Sequence, residues 1–549
     1  MVASVLGSVA DAGSIAALAD LDLDDVDSGL EEALAADLLS TDADGAIRFR
    51  HDLVRETAYA RLGAVRRTRL HARAFTRLAA TADINPALLA LHARHAGPTH
   101  ADETVQWSMA AATEAAGRRA PDSALQWWRT ACDADRSALH VDPVRRVTVL
   151  LGLVRGQLDA GDAVGAIGTR TDAIRAAVEM GDPALIARAL TSLDRPLVWL
   201  PRPMGQVNDE MVQHLERSLA ATSEPEMRCM LLATLAIETY APGQQARCDE
   251  LTTESLRLAE QVGDPSRLAF AVNARVVATA FPGRERERAE SADRLVQLGR
   301  TASLPSVELA GHQLACRLRL QLFEVRTADE HARHARRIAA ELRLPLPSLQ
   351  QRLWDCSRCA LAGEVPAALR MVDELEQLDW PWWGREAMLA TTRLTLLLRS
   401  GSFTEVEPLL EQAWLVHPGI AADARTLASP GSWTAHAPPT GDPSRDWSWM
   451  SGGCIHAQAV LAVGDQDAIR STYDLLLPAS GMIAATGSFD AGPVDGYLAD
   501  LAHALGRTDD ERGHRELLAH LSAREGLAGG FSTGAFPQFL QDLAGKATS

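Results

Sequence analysis

Few residue types in this sequence sit at spacings that could do chemistry. Cys356-x-x-Cys359, in QRLWDCSRCALAG, has the spacing of a zinc-gripping thiolate pair. One pair supplies only two of four ligands, and no second Cys or Cys/His pair follows at zinc spacing, so core packing is its expected role. His92, His95 and His100, in HARHAGPTH, could approach a metal, but they straddle a helix end and lack a carboxylate-rich partner. They read as helix-terminus histidines, and His331 and His334, in HARHARR, as a solvated face. Arg66, Arg67, Arg69, Arg73 and Arg77 form a basic stretch that could meet DNA or an acidic partner, as could RERERAESADR after Gly283. In an acidic chain, local pairing with Asp and Glu is the expected role of both. Paired carboxylates such as Glu31-Glu32 fall on helix exteriors, and Ser, His and Asp occur without a nucleophile elbow. No catalytic constellation results, and the chain does not read as an enzyme.

Tryptophan is the more telling residue type. Trp380, Trp382 and Trp383 flank Pro381, and Trp414, Trp433, Trp447 and Trp449 lie near an irregular stretch. Trp is enriched at binding hot spots, and loops carry function disproportionately. Trp380, Trp382, Trp383, Trp433, Trp447 and Trp449 are therefore candidate partner-binding residues, with solenoid core packing as the alternative.

The elements that must position these residues announce themselves by period. Pro143, Pro183, Pro225, Pro265, Pro305, Pro347 and Pro381 follow one another at gaps of 40, 42, 40, 40, 42 and 34. Gly161, Gly243 and Gly283 each fall 18 residues after the proline that opens their repeat. Proline suits the first turn of a helix, and glycine tolerates the left-handed conformation that stops one. Each unit reads as helix, Gly turn, helix. In Gly161–Pro183 the apolar Val164, Ile167, Ile174 and Val178 keep mainly to spacings of three, four and seven, and Gly181-Asp182-Pro183 ends the run. The period predicts an all-α chain, a right-handed α–α superhelix of tetratricopeptide-like hairpins, because repeats of this length bury their apolar faces only against neighbours.

Composition agrees. The chain has 549 residues, 47% of them hydrophobic and only 5% aromatic, much of it Ala and Leu, as close-packed helices require. A net charge of −18 repels phosphate backbones and anionic lipid, so direct nucleic-acid or membrane binding is not expected. Seven scattered cysteines form no disulfide framework, and no stretch approaches a membrane span. A cytoplasmic protein is the expectation.

Four segments follow. Residues 1–64 hold short helices at Val2–Val9, Ser14–Ala19 and Val26–Leu38, a turn at Ser40–Gly45 and a strand at Ala46–Arg50: a winged-helix-like unit, from which a long helix leaves at about Asp52. Residues 65–415 are helical repeats. The Gly/Pro/Ser-rich 416–448 is an irregular loop or an eroded repeat. Residues 449–549 are terminal repeats, with ATGSFDAGPVDG as an interhelical loop and a capping helix at Phe536–Leu543.

Two blocks resemble a known family. Ala3-Ser4-Val5-Leu6-Gly7, then LEEALAADLLSTDADGAIRFRHDLVRETAYARLGAVRRTRLHARAF from Leu30 to Phe75, look like the winged-helix end of the STAND-type ATPase module of bacterial LuxR- and SARP-like transcriptional regulators. RFRHDLVRE resembles the Met-His-Asp motif of related ATPases, with Arg50 in place of the methionine. The segments from Leu475 to Gly481 and from Gly492 to Arg507 are similar to the last repeats of the same regulators. The resemblance implies a sensor region whose repeats receive a small-molecule effector or protein partner, coupled to an ATPase core in cis or trans. It implies that His51, with Asp52, reaches a nucleotide phosphate at the domain seam; a histidine bonded at a strand-to-helix corner is the alternative. There is no G-x-x-x-x-G-K-[ST] loop and no basic helix-turn-helix, so this chain carries no cofactor of its own, and ATP or ADP enters only in a longer assembly. The expectation is a fragment, a mis-assigned start or a degenerate relative, with a free-standing repeat adaptor or scaffold as the alternative function.

Overall fold

Proline and aspartate together set many of the helix starts. The computed structural model describes residues 1–526 apart from 8, 43–45, 82–83, 140–141, 199–206, 379–384, 415–417, 430–446 and 488–489. The fold is an all-α helical-repeat chain that divides into two compact units, Met1–Leu193 and Asp194–Ser549.

The first unit opens with α1 (Ala3–Leu6), β1 (Val9–Ala10), α2 (Ala12–Ala19), α3 (Leu23–Ala35), β2 (Leu39–Thr41), β3 (Ile47–Phe49) and α4 (Asp52–Ala60). The strands form an antiparallel sheet of order β1-β3-β2, with Val9 opposite Arg48 and Leu39 opposite Phe49. Two expectations are corrected here. The first helix stops at Leu6 because Gly7 takes φ +114°, and Val9 then becomes a strand residue. The helix leaving at Asp52 has 9 residues and none of them is buried, so little packing extends it. Helices then pair in sequence: α5 (Ala64–Ala79), α6 (Pro86–His95), α7 (Ala101–Gly117), α8 (Pro121–Ser137), α9 (Pro143–Asp159), α10 (Ala163–Met180) and α11 (Pro183–Leu190).

The second unit continues with α12 (Asp209–Ala221), α13 (Pro225–Thr239), α14 (Gln245–Val262), α15 (Pro265–Ala278), α16 (Glu285–Thr301), α17 (Pro305–Gln321), α18 (Val325–Leu342), α19 (Pro345–Leu361), α20 (Val365–Glu376) and α21 (Arg385–Ser400). After it come α22 (Leu410–Trp414), α23 (Pro418–Ala428), α24 (Trp449–Val463), α25 (Gln466–Leu476), β4 (Ile483–Ala484), β5 (Gly492–Pro493), α26 (Val494–Ala504) and α27 (Thr508–Arg524).

The repeat punctuation works as physical chemistry requires. Pro143, Pro183, Pro225, Pro265 and Pro305 each occupy the first turn of a helix, where the missing N–H costs nothing. Asp142, Asp182 and Asp264 cap three of these helices by accepting backbone N–H bonds. The sixth opener is Pro345 rather than Pro347, and Pro381 lies outside the described residues. Gly161, Gly243, Gly283, Gly363 and Gly401 all turn with φ between +75° and +85°.

Within each pair the two helices differ in burial. In α14 the buried residues Cys248, Leu251, Thr252, Ser255, Leu258 and Ala259 form one stripe. In α13 every residue from Cys229 to Glu238 is buried, and α15, α17, α21 and α24 are enclosed in the same way. A helix covered all round belongs to an inner layer, with the striped helices outside it. The stretch after residue 416 is partly corrected: Pro418–Ala428 is helical, and Ile420, Ala421, Ala424 and Leu427 join the core of α24 to α26. The capping helix expected at Phe536–Leu543 lies outside the described residues. No helix among those described is long and apolar enough to cross a membrane.

Candidate functional site

Polar chemistry in the second unit collects around α16, α17, α21 and the segment between β4 and β5. That segment is not a surface loop. Ile483, Ala484, Ala485, Thr486, Asp490 and Ala491 are all buried, and Ile483 and Ala485 share a core with Cys316 and Leu320 of α17 and Trp354 of α19. Gln321 donates to the Ala485 carbonyl at 2.5 Å, and Arg399 donates to the carbonyls of Asp490 and Ala360 at 3.4 and 2.9 Å. Two glycines let it approach: a Cβ at Gly487 would lie 3.2 Å from Arg317 Cδ, and one at Gly492 would lie 3.0 Å from a terminal nitrogen of Arg399.

Arg288, only 4% exposed, donates through Nε to the Val276 carbonyl at 2.8 Å. Its terminal nitrogens have no hydrogen-bond partner among the described residues, and Arg317, partly buried on α17, has none on its side chain. Burial, with the nearby Arg317 charge, lowers the Arg288 guanidinium to about 10, offset in part by Tyr240 and by Glu285 on its own helix. Burial also lowers Arg317 and Arg399. The Asp490 carboxyl is pushed up to about 6 by burial, although one oxygen accepts the N–H groups of Thr486 and Gly487. Its Oδ2 has no hydrogen-bond partner among the described residues. Tyr240 closes the group: its hydroxyl donates to the Ala280 carbonyl at 2.9 Å and accepts the Trp447 N–H at 3.0 Å.

The residues singled out from sequence lie elsewhere. His51 stands exposed in extended conformation at the start of α4, and Asp52, also exposed, lies 3.5 Å from Arg55. Trp449 is 4% exposed within the core of α24, and Trp447 is partly buried against the same core. Trp380, Trp382, Trp383 and Trp433 fall outside the described residues, as does the Trp414 side chain. Cys356 is buried in α19, its thiol pushed up to about 12 by burial and bonded to the Ala368 carbonyl, with Cys359 half-buried nearby. No group of three metal-ligand side chains is found among the described residues.

Three polar clusters escaped the sequence reading. His71 and His92 are buried with their Nδ1 atoms 3.0 Å apart, His95 lies against the His71 ring, and Tyr59 bonds His71 Nε2 at 2.9 Å. His312 and His331 repeat the contact at 2.9 Å, with His334 stacked on His312. His331 therefore leaves the expected solvated face; only His334 is exposed. In both trios a His-x-x-His pair meets a histidine about twenty residues upstream on the preceding helix, and that upstream partner is the signal that could have been read. The third cluster joins Asp495 to His514 at 2.8 Å and His514 to Tyr473 at 3.1 Å. Ser480 donates to Asp495 rather than to the histidine, so no serine is activated there.

No protein-family model matches the chain, and no curated protein matches it. Solved structures similar to it include a Rap protein complexed with competence and sporulation factor, at 10% identity over 69% of this chain and 98% of that one, with TM-score 0.41. A Signal Transduction ATPase with Numerous Domains with a tetratricopeptide-repeat sensor, from Pyrococcus horikoshii, is similar at 9% identity and TM-score 0.27 over 98% of this chain and 63% of that one. Naa15/Naa10 bound to HypK-THB is similar at 11% identity and TM-score 0.20 over 90% and 86%.

Proposed function

We propose that this chain is the signal-receiving, protein-binding region of a STAND-type regulator, acting without catalysis of its own. Its inner helical layer takes up an effector or partner, and the winged-helix-like unit of residues 1–64 passes occupancy to a nucleotide switch outside this chain. The observation that carries the reading is the charged group inside the second unit: Arg317 lies against the enclosed β4–β5 segment and Arg288 on the neighbouring helix, and neither has a carboxylate at ion-pair distance among the described residues. Buried cations persist where function requires them, because stability alone disfavours them. A ligand can act as a signal only if it binds one of two states better than the other.

Isothermal titration of the full chain with ADP and ATP tests where the switch lies. No nucleotide binding tighter than that of inorganic phosphate is expected, and tight nucleotide binding that persists in Arg317→Gln would overturn the assignment of the switch to another polypeptide or segment. A free-standing adaptor is the second reading. It is favoured by the β4–β5 segment, which fills interior space with the chain's own residues and leaves the outer helices as the surface on offer. Upstream in-frame codons for a phosphate loop would favour the regulator.

A further inference from the structure

We infer that Arg288 of α16 and Arg317 of α17 form a binding site for an anionic group, a carboxylate or phosphate, on a small effector. The inference rests on the proposed reading of the inner layer as the receiving surface. In a chain of net charge −18, most of the partly buried arginines are answered by acids. Arg275 holds Glu287 at 2.5 Å, Arg358 holds Asp329 at 2.8 Å, and Arg145 holds both Asp135 and Asp102. Arg288 and Arg317 break that rule on neighbouring helices, and the Arg317 charge adds to the burial that lowers Arg288.

The surroundings supply only partial compensation. Glu285 acts on Arg288 through space without an ion pair. Asp490 acts on Arg317, but its bonded oxygen is committed to Thr486 and Gly487 N–H groups. Tyr240 acts on both guanidiniums through space, and its hydroxyl is already donated to Ala280. What remains is two guanidiniums on adjacent helices, with terminal N–H groups that have no partner among the described residues. A planar N–H fork is the donor geometry that carboxylate and phosphate accept in pairs. An incoming anion would answer both charges at once. Gly487 shapes the site: it sits at φ +84° against the Arg317 stem, so the absent side chain leaves that arginine its position.

The test is calorimetric titration of the full chain, at matched ionic strength, with three probes: inorganic phosphate, a short peptide with a free C-terminal carboxylate, and the same peptide as its C-terminal amide. Phosphate binding alone, or acid-peptide binding at least tenfold tighter than the amide, names the source of the anion. Either affinity should fall about tenfold or more in Arg317→Gln and recover in part in Arg317→Lys, since a charge-assisted hydrogen bond is worth about that factor. Circular dichroism of each variant checks the fold, and Arg288→Lys serves as the milder second variant. If none of the probes binds, or if Arg317→Gln binds phosphate and acid peptide as the wild type does, the site is refuted. Equal binding of acid and amide peptides refutes the anion site while leaving the receiving surface intact.

Discussion

Acidification should loosen the first unit before it reaches ordinary carboxylates, because His71 and His92 are folded in their neutral forms. Burial comes first among the causes that lower His71 from 6.5 to about 3, followed by His92, His95 and Arg67. Burial and then His95 lower His92 to about 4. Among the described residues no carboxylate is paired with either ring or contributes to its shift. The sign follows: a histidine depressed in the fold contributes full stability above its unfolded value of 6.5 and loses it as the pH falls toward 3–4. At about pH 5 an unfolded imidazole is mostly charged while these two stay neutral, a difference of about 2 kcal/mol for each. The rings share one hydrogen bond and repel when both are charged, so the pair is worth about 2–4 kcal/mol together. Hydrogen exchange read by mass spectrometry on α5 and α6 peptides of the full chain, corrected for intrinsic rates, should show protection falling about 30-fold or more between about pH 7.5 and pH 5. In the double variant His71→Phe, His92→Leu the pH dependence should flatten, whatever its absolute stability. Unchanged protection in the wild type, or an equal pH slope in the double variant, would refute the argument.

Two glycines should respond in opposite directions to the same substitution. A Cβ at Gly299 would sit 2.3 Å from the Glu308 backbone nitrogen, so Gly299→Ala should destabilise the α16–α17 contact by about 2 kcal/mol or more. Gly168, exposed within α10 with open space around it, should gain about 0.5–1 kcal/mol as alanine; thermal melting of both variants checks the contrast. Asp182→Ala removes the side-chain cap of α11, which should cost about 1 kcal/mol and show as faster amide exchange at Ala184 and Leu185.

Local chemistry explains why the repeat was readable and the site was not. Pro at N1, Asp at N-cap and Gly at a left-handed turn act within a few residues, so their spacing alone predicts where α9, α11, α13, α15 and α17 begin. Pro347 misled because Pro345, two residues earlier, suits the first turn equally well, and only the formed helix tells the two apart. Leu6 to Val9 misled because a strand of two residues exists only once β3 lies beside it.

The charged group follows different rules. Arg288, Arg317, Arg399 and Asp490 are spread over about 200 positions and share no motif. Nothing near Arg317 in the chain distinguishes it from Arg319, two residues on, which is answered by Glu324 at 2.7 Å and by Asp293. Which of the two finds a carboxylate depends on the helix face each occupies and on the return of the β4–β5 segment against α17. Helix, turn and order of stacking thus belong to short stretches of sequence. Which charges remain unanswered in the interior is decided by packing between segments far apart in the chain, because desolvation and Coulomb energies depend on distance in space.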